Sequence, residues 1–189
     1  MKQDIPVEQA HRLLSAGPVC LLTSAYKGRV NVMTVGWTSS ISYRPVLVAA
    51  AIFQGSLTHD LVQQSGEFVL NIPSRDLMRQ VQYCGTVSGR DADKMTAMGL
   101  REDEPGYVRA PLILECIAHL ECVVTDRITP GDHTMYIAEV VAAKAHPEAF
   151  DVTWLLKERD LQPLHHLGLD RYAVLETVSE RNPEADEKE

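Results

Sequence analysis

The amino-acid sequence predicts a mainly β protein of the α+β class, in which an antiparallel barrel carries short inserted helices. Two observations support this fold class. Six or seven short stretches have the apolar content of strands and are separated by turns that contain glycine or proline. The helical patterns between them do not alternate regularly with strands, as a doubly wound parallel sheet would require. The chain of 189 residues is long enough to bury one core.

The first half of the chain begins with a short amphipathic helix. Val7, Ala10 and Leu14 recur at helical spacing, and Gly17 followed by Pro18 ends the pattern. Lys27 and Gly28 then predict the turn of a hairpin. The elements expected here are a helix over 7–14, strands over 19–24 and from 29, a buried strand over 46–52, a helix through 61–64 that ends at Gly66, and a strand over 68–72.

The second half contains the longest strands. Thr129 to His133 carries turn residues between two long β segments, which predicts an antiparallel hairpin. The elements expected here are a helix over 77–84, a loop over 86–93, a helical turn ending at 98–99, a loop over 102–109, strands over 112–126 and 134–143, a helical or irregular segment over 151–163 and a last strand over 172–177. We expect one domain over 1–178 and a disordered acidic tail over 179–189.

Charge and hydropathy exclude two classes of partner. The formal net charge is -8, much of it from the acidic tail, and no basic stripe typical of a nucleic-acid binder is present. No apolar run is long enough to span a membrane, and the first residues do not resemble a secretory signal. The sequence therefore predicts a cytoplasmic protein that binds neither nucleic acid nor membrane.

The four cysteines do not have the spacing of a metal site. Cys116 and Cys122 are expected on one strand, too far apart for a disulfide, and are interpreted as small buried hydrophobic residues. Cys84 is interpreted as a structural thiol. No His or carboxylate motif suggests a metal, and no serine motif suggests a hydrolase. We therefore expect no metal.

The stretch over 31–45 is the most unusual part of the sequence. It follows a hairpin and precedes a buried strand, yet most of its residues are small or form hydrogen bonds. Gly36 indicates a bend or a close approach to the backbone, and Trp37 is an aromatic residue among hydroxyl groups. The stretch is either a platform for a ligand or a polar edge strand that leads into a loop.

Two further segments contain groups that suit an anion. Ser56 is a good N-cap for the predicted helix, and with Thr58 and His59 it could bind a phosphate or only cap the helix. The loop from Cys84 to Lys94 carries Ser88, Arg90 and Lys94. Its cations could bind an anion or pair with Asp91 and Asp93 in solvent.

His133 lies at the tip of the predicted hairpin, after Gly131 and Asp132. A histidine on a loop held by rigid strands is suited to proton transfer or ligand binding. The alternative is a turn residue on the surface, which is the more common case at such a position.

These segments, taken together and in this order, resemble the flavin reductase-like family of FMN-binding split barrels. The resemblance extends from about residue 10 to residue 175, and depends on the order and spacing of motifs that are weak individually. The motifs are Asn-Val-Met-Thr-Val-Gly-Trp from 31, Ser-Leu-Thr-His from 56, Gly-Glu-Phe-Val-Leu-Asn-Ile-Pro from 66, Cys-Gly from 84, Ser-Gly-Arg from 88, Asp-Lys from 93, Ala-Pro from 110, Glu-Cys from 115, Leu-Glu-Cys from 120, Gly-Asp-His from 131 and His-Leu-Gly from 166 with Tyr172.

The resemblance implies a homodimer of six-stranded antiparallel Greek-key split barrels that binds FMN near the subunit interface. It implies that His133 lies near the flavin or the nicotinamide and is the catalytic residue. The cofactor-binding residues it implies are Asn31, Val32, Met33, Thr34, Gly36 and Trp37 along the isoalloxazine ring, and Ser39, Ser40, Ser56, Thr58, His59, Ser88 and Lys94 for the ribityl chain and phosphate.

Two functions are compatible with this resemblance. The first is an oxidoreductase that takes hydride from NAD(P)H and passes electrons to free flavin, ferric complexes or a partner protein. The second is an FMN electron carrier of the flavoredoxin type, which has no nicotinamide site of its own. The sequence does not discriminate between them.

Overall fold

The structure is a computed structural model that describes residues 2–176. In the first half of the chain a 3₁₀ helix is followed by strands and one α-helix. The elements are the 3₁₀ helix Val7–Leu14, β1 (Gly17–Pro18), β2 (Cys20–Tyr26), β3 (Arg29–Val35), β4 (Thr38–Tyr43), β5 (Val46–Phe53), α1 (Leu57–Ser65) and β6 (Glu67–Ile72).

The second half holds the two longest strands and most of the short elements. The elements are a 3₁₀ turn Arg75–Leu77, α2 (Met78–Thr86), α3 (Lys94–Met98), β7 (Glu102–Asp103), β8 (Leu112–Ile113), β9 (Ala118–Ile128), β10 (His133–Ala145), β11 (Phe150–Asp151), β12 (Thr153–Trp154), a 3₁₀ turn Arg159–Leu161, β13 (Leu164–Gly168) and β14 (Arg171–Val174).

The main sheet is antiparallel, with the strand order β3-β2-β6-β9-β10-β5-β4. Its two outer strands, β3 and β4, are consecutive in the chain and are separated only by Gly36 and Trp37. The backbone of Trp37 also accepts a hydrogen bond of 3.0 Å from Ala51 N on β5. The two edges of the sheet therefore meet at Gly36–Trp37, which closes the sheet into a barrel and removes free edges there.

The barrel has one buried cluster in its interior and a second on its outer face. Leu22, Phe68, Cys122 and Tyr136 come from four different strands and form one buried cluster, to which α1 adds Val62. Because side chains alternate along a strand, the other face of β2 and β3 is covered separately. A second cluster there packs against α2 and α3; it includes Val19, Leu21, Val32, Val81, Cys84 and Met95.

The fold class expected from the sequence is confirmed: the protein is mostly antiparallel strand with a few short helices. Lys27 (φ 48°) and Gly28 (φ 78°) form the first hairpin turn, and Gly66 (φ 71°) ends α1, as expected. The six-strand count is not confirmed, because the main sheet has seven strands. The expected strand over 112–126 is interrupted, so that Cys116 lies in a turn and shares no strand with Cys122.

Two segments differ from the sequence-based expectation. Residues 7–14 form a 3₁₀ helix in which no residue is buried, because their apolar side chains find no surface to cover within residues 2–176; Leu14 is 88% exposed. Residues 150–154 form a small β11–β12 hairpin, where a helical or irregular segment was expected from 151. The expected tail over 179–189 lies outside the described residues. Within residues 2–176 no helix is long and apolar enough to cross a membrane.

Candidate functional site

A cleft of about 400 Å³ opens where the chain crosses from β3 to β4. Trp37 lies at this crossing, and its ring is 4.9 Å from the ring of His133. Phe53, at the end of β5, pairs in register with His133 at the start of β10, and their rings are 5.7 Å apart. The three rings lie together because the sheet brings the β3–β4 crossing beside the ends of β5 and β10.

His133 is oriented by the residue before it. Its Nδ1 lies 2.6 Å from Asp132 Oδ1. The hydrogen bond with His133 is the main reason that the pKa of Asp132 lies below its ordinary value. An ionised carboxylate only accepts, so Nδ1 carries the proton in this contact and Nε2 is left for another partner. This arrangement can hold a proton donor or acceptor at the cleft.

Helix α2 forms another wall of the cleft through Gly85 and Thr86. A Cβ added at Gly85 would lie 3.2 Å from Cβ of Thr34, and the Thr34 hydroxyl donates a hydrogen bond to Val81 O. Glycine at 85 therefore lets α2 approach β3 closely. The helix also extends to Thr86, beyond the end at 84 that the sequence predicts.

Sequence reasoning missed several residues of the cleft that come from distant parts of the chain. His11 and Arg12 belong to the N-terminal 3₁₀ helix, and the His11 ring is 5.9 Å from the Trp37 ring. His166 and Tyr172, on β13 and β14, have rings 5.2 Å apart and also line the cleft. His11 carries no local motif, and the motif that contains His166 and Tyr172 was not assigned a role in the site.

The expected site residues fall into separate groups. The structure brings together Met33, Thr34, Gly36, Trp37 and His133, all of which line the cleft. Ser39 and Ser40 instead line a second, apolar cavity of about 740 Å³. Asn31, Val32 and Lys94 line a third pocket beside the loop that follows α2.

Several side chains that were expected to bind the ligand are instead buried or hydrogen-bonded within the protein. The Asn31 amide donates to the Thr58 hydroxyl at 2.7 Å, and both residues are buried. The Val32 side chain is fully buried against α2 and α3. Lys94 is only 4% exposed and donates to the carbonyl oxygen of Cys84 at 2.9 Å. Burial removes water from the ammonium group of Lys94 and thereby lowers its pKa.

The remaining residues expected at the phosphate lie around α1 and in the loop that follows α2. The Ser56 hydroxyl caps α1 by accepting from His59 N at 3.1 Å. The His59 ring contacts the Thr134 hydroxyl at 3.0 Å. The pKa of His59 is lowered, and burial is the largest cause. Ser88 accepts from Arg90 N at 3.1 Å. Of the residues in these contacts only Arg90 lines one of the three cavities, the third pocket. The phosphate assignment stays a prediction.

The cleft is suited to a flat aromatic ligand. Its volume lies within the range of about 300–1,000 Å³ that small-molecule sites occupy. Trp37 is 48% exposed and Phe53 is also 48% exposed, so both rings are free to stack. Among residues 2–176 no group of three His, Cys, Asp or Glu side chains is placed to hold a metal ion.

Similar proteins support an assignment to a family. Over 185 residues the chain is 32% identical to the uncharacterised protein YddH of Escherichia coli, covering 92% of this chain and 96% of that protein. It is 28% identical over 130 residues to the reductase component of a 4-nitrophenol 4-monooxygenase/4-nitrocatechol 2-monooxygenase from Rhodococcus opacus, covering 69% and 66%.

The fold itself has solved counterparts. The structure of flavoredoxin from Methanosarcina acetivorans superposes with a TM-score of 0.84, at 24% identity, over 97% of this chain and 96% of that one. This likeness shows the fold alone. The family model described as flavin reductase like domain matches residues 12–165. From this match, which covers most of the chain, and from the antiparallel barrel, we conclude that the protein belongs to the flavin reductase-like domain family.

Proposed function

We propose that this protein is an FMN-binding oxidoreductase that takes hydride from NAD(P)H and passes electrons to free flavin, ferric complexes or a partner protein. The observation that carries the proposal is the cleft in which Trp37 and Phe53 flank His133, itself oriented by Asp132. The similarity to the reductase component from Rhodococcus opacus supports the same class of reaction.

FMN would be held by the residues that line the cleft. The rings of Trp37 and Phe53 would contact the isoalloxazine ring, and the backbone from Met33 to Gly36 would meet its polar edge. Bound FMN supplies the capacity to accept a hydride and to release its electrons singly or in pairs. With the Nδ1 proton directed to Asp132, the Nε2 atom of His133 would accept a proton beside the bound ring, while Asp132 fixes the orientation of the imidazole.

Arg12 places a positive charge at the rim of the same cleft. A nicotinamide nucleotide carries phosphate groups, with which a guanidinium pairs well. Arg12 would therefore orient the incoming nucleotide against the cleft. The His11 ring, packed edge-on against Trp37, would help to keep water from that side.

The phosphate of FMN is assigned to Ser56 and Lys94 as a proposal. Ser56 stands at the N-terminus of α1, where free backbone N–H groups favour anions. Lys94 uses one of its three N–H donors on Cys84 O. Replacing each with alanine is expected to weaken FMN binding, by on the order of 1–3 kcal/mol for Lys94. Unchanged dissociation constants in both variants would remove this phosphate site.

A second candidate function is an FMN electron carrier of the flavoredoxin type. Trp37 is 48% exposed, so the ring expected against the flavin is also accessible to a protein partner. Such a carrier would be reduced and oxidised by other proteins and would need no nicotinamide site.

An anaerobic experiment discriminates between the two functions. FMN-loaded protein is mixed with NADH and then with NADPH while the visible flavin absorbance is followed. Rapid bleaching supports the reductase, and the faster donor identifies its co-substrate. Bleaching by dithionite alone supports the carrier. A protein that stays colourless with added FMN would contradict both.

The proposal also covers the cellular location, the oligomeric state and the domain boundaries of the protein. We propose a cytoplasmic homodimer, with a redox partner protein as one possible electron acceptor. We propose that residues 1–178 form its one flavin-binding domain and that 179–189 form a tail outside it.

A further inference from the structure

His166 lies on β13 and lines the cleft proposed for the flavin. The residue is half-buried. Its ring packs against the ring of Tyr172 on β14, with the two centroids 5.2 Å apart. His166 and Tyr172 are paired in register across the β13–β14 hairpin, so their side chains lie on the same face of that sheet. The hairpin therefore holds the His166 ring at the cleft.

One ring nitrogen of His166 is used within the protein. Its Nε2 lies 2.8 Å from the carbonyl oxygen of Leu169, in the turn that joins β13 to β14. A carbonyl oxygen only accepts hydrogen bonds, so Nε2 carries the proton in this contact. The contact therefore fixes both the orientation of the imidazole ring and the tautomer of its neutral form.

The other ring nitrogen, Nδ1, lies beside Gly36. A Cβ added at Gly36 would be 3.7 Å from Nδ1 of His166. In a neutral imidazole whose proton is on Nε2, the Nδ1 atom has a free lone pair and accepts a hydrogen bond. Within residues 2–176 the only hydrogen bond of the His166 ring is the one from Nε2. A hydrogen-bond acceptor is therefore left without a partner next to the crossing from β3 to β4.

The backbone beside this acceptor belongs to an outer strand. β3 is the last strand of the main sheet on its side, so one side of its backbone pairs with no other strand in the described part of the chain. Such an edge offers N–H and C=O groups to a ligand. The end of β3 therefore presents backbone donors, and His166 adds a side-chain acceptor beside them.

This combination matches the polar edge of a flavin. The isoalloxazine ring carries there an imide N–H between two carbonyl groups, so that its oxygens need donors and its N–H needs an acceptor. An N–H that is buried without an acceptor costs free energy. His133 lies among the rings of Trp37 and Phe53, which would contact the face of the flavin. His166 instead lies beside Gly36, in the backbone segment that would meet the edge.

We propose that His166 binds the flavin by accepting a hydrogen bond at Nδ1 from the imide N–H, and that it thereby selects flavins that are unsubstituted at this nitrogen. This assignment rests on the proposed function, because it requires FMN in the cleft. The bond from Nε2 to Leu169 makes Nδ1 an acceptor before the ligand arrives, so the ring need not be ordered on binding.

The test compares FMN with 3-methyl-FMN, in which a methyl group replaces the imide hydrogen, by fluorescence titration of the full-length protein. His166→Gln keeps an amide that can donate to Leu169 but places no acceptor at the position of Nδ1. It should weaken FMN binding by about 5- to 10-fold and change 3-methyl-FMN binding by less than about twofold. His166→Asn places its amide oxygen near the position of Nδ1 and should retain most of the preference for FMN. His165→Gln, on the opposite face of β13, is the matched control and should change neither affinity.

Nitrogen NMR of the histidine rings gives a second measurement on the wild-type protein. The Nδ1 resonance of His166, assigned by its loss in whichever of the two His166 variants folds, should be that of an unprotonated nitrogen. It should move toward that of a hydrogen-bonded nitrogen with FMN, but not with 3-methyl-FMN.

The outcomes separate this assignment from the proposed function. A wild-type protein that does not bind FMN would remove both. FMN binding with the same preference over 3-methyl-FMN in wild type and His166→Gln would overturn only the role of His166. An Nδ1 resonance that FMN leaves in place, or one that shows a protonated Nδ1 in the free protein, would do the same.

Discussion

Trp37 is a large aromatic residue that the fold leaves only half buried. It follows Gly36 at the crossing between the two outer strands and is 48% exposed. The centroid of its ring lies 4.9 Å from that of His133 and 5.9 Å from that of His11. A large exposed ring that packs against two neighbouring rings is pre-oriented for stacking, so a ligand need not order it on binding.

Replacing Trp37 with alanine is therefore expected to weaken FMN binding. The loss of one aromatic stacking contact is worth on the order of 1–2 kcal/mol, or about a 5- to 30-fold rise in the dissociation constant. Trp37→Phe should retain most of the affinity, because it retains a ring. Fluorescence titration with FMN measures both. Trp154→Ala removes the other tryptophan and serves as the control; if it has the larger effect, the flavin site is misplaced.

At the scale of the element, Glu121 on β9 holds a neighbouring loop. Its side chain is 2% exposed. Backbone N–H groups of Gly106, Tyr107 and Val108 donate to its carboxylate at 2.9, 2.7 and 3.2 Å. Burial tends to raise the pKa of Glu121, but these hydrogen bonds outweigh it and the pKa lies below its ordinary value of 4.5. The ionised form is therefore the one that stabilises the loop.

Glu121→Gln is expected to lower the free energy of unfolding at pH 7 by about 1.5–3 kcal/mol, since hydrogen bonds to a charged acceptor are lost. Because the folded-state pKa is depressed, the stabilisation is present above the ordinary value and disappears as pH falls through the folded-state pKa. The difference between wild type and variant should thus narrow below about pH 4. Urea unfolding at several pH values measures this difference in the free energy of unfolding. Glu139→Gln, at an exposed position on β10, is the control. A pH-independent difference would contradict the role of the charge.

The first hairpin depends on one glycine conformation. Gly28 has φ 78°, in the left-handed region, while Gly17 has no such constraint, and neither has an atom within 4 Å of an added Cβ. The two positions therefore differ in backbone conformation and not in space. That makes them a matched pair for a substitution test.

Gly28→Ala is expected to destabilise the protein by about 1–2 kcal/mol, the cost of the left-handed region for a residue with a Cβ. Gly17→Ala should change stability by less than about 0.5 kcal/mol. Thermal or urea unfolding compares the two. Equal effects would mean that the turn relaxes to another conformation.

At the scale of the whole molecule, closure of the sheet leaves part of β4 without cover. On β4 Ile41 is about half exposed and Tyr43 is 93% exposed, and Val46 at the adjoining start of β5 is also about half exposed. Exposed apolar side chains along an outer strand are typical of an interaction surface. This surface is consistent with the homodimer that we propose.

Analytical ultracentrifugation of the wild-type protein is expected to give twice the mass of one chain. Tyr43→Lys puts a charge on β4 and should shift the protein toward the monomer, with unchanged circular dichroism. Tyr107→Lys, on a distant exposed loop, is the control and should leave the dimer intact. A wild-type monomer would contradict the proposed dimer. A Tyr43→Lys dimer would place the interface elsewhere.

The fold was more predictable than the site. Strands over 46–52 and 68–72, the Lys27–Gly28 turn and the Gly66 helix end follow from local periodicity and backbone preference, which the chain carries at each position. The six-strand count was not confirmed, since the interruption of two residues at Gly36–Trp37 separates β3 from β4. The helix over 7–14 was expected from its spacing, but spacing does not report whether a surface exists to bury it.

The sequence by itself determined the β-rich antiparallel class and marked Trp37 and His133, because aromatic and imidazole groups at bends and hairpin tips are unusual locally. Only the tertiary structure decided which side chains meet. It placed His11, Arg12, His166 and Tyr172 at the cleft, set Ser39 and Ser40 in a separate cavity, and turned Lys94 toward Cys84. These relations depend on strand register and barrel closure, which pair residues far apart in the chain, and a one-residue change in register would reverse the face of every side chain.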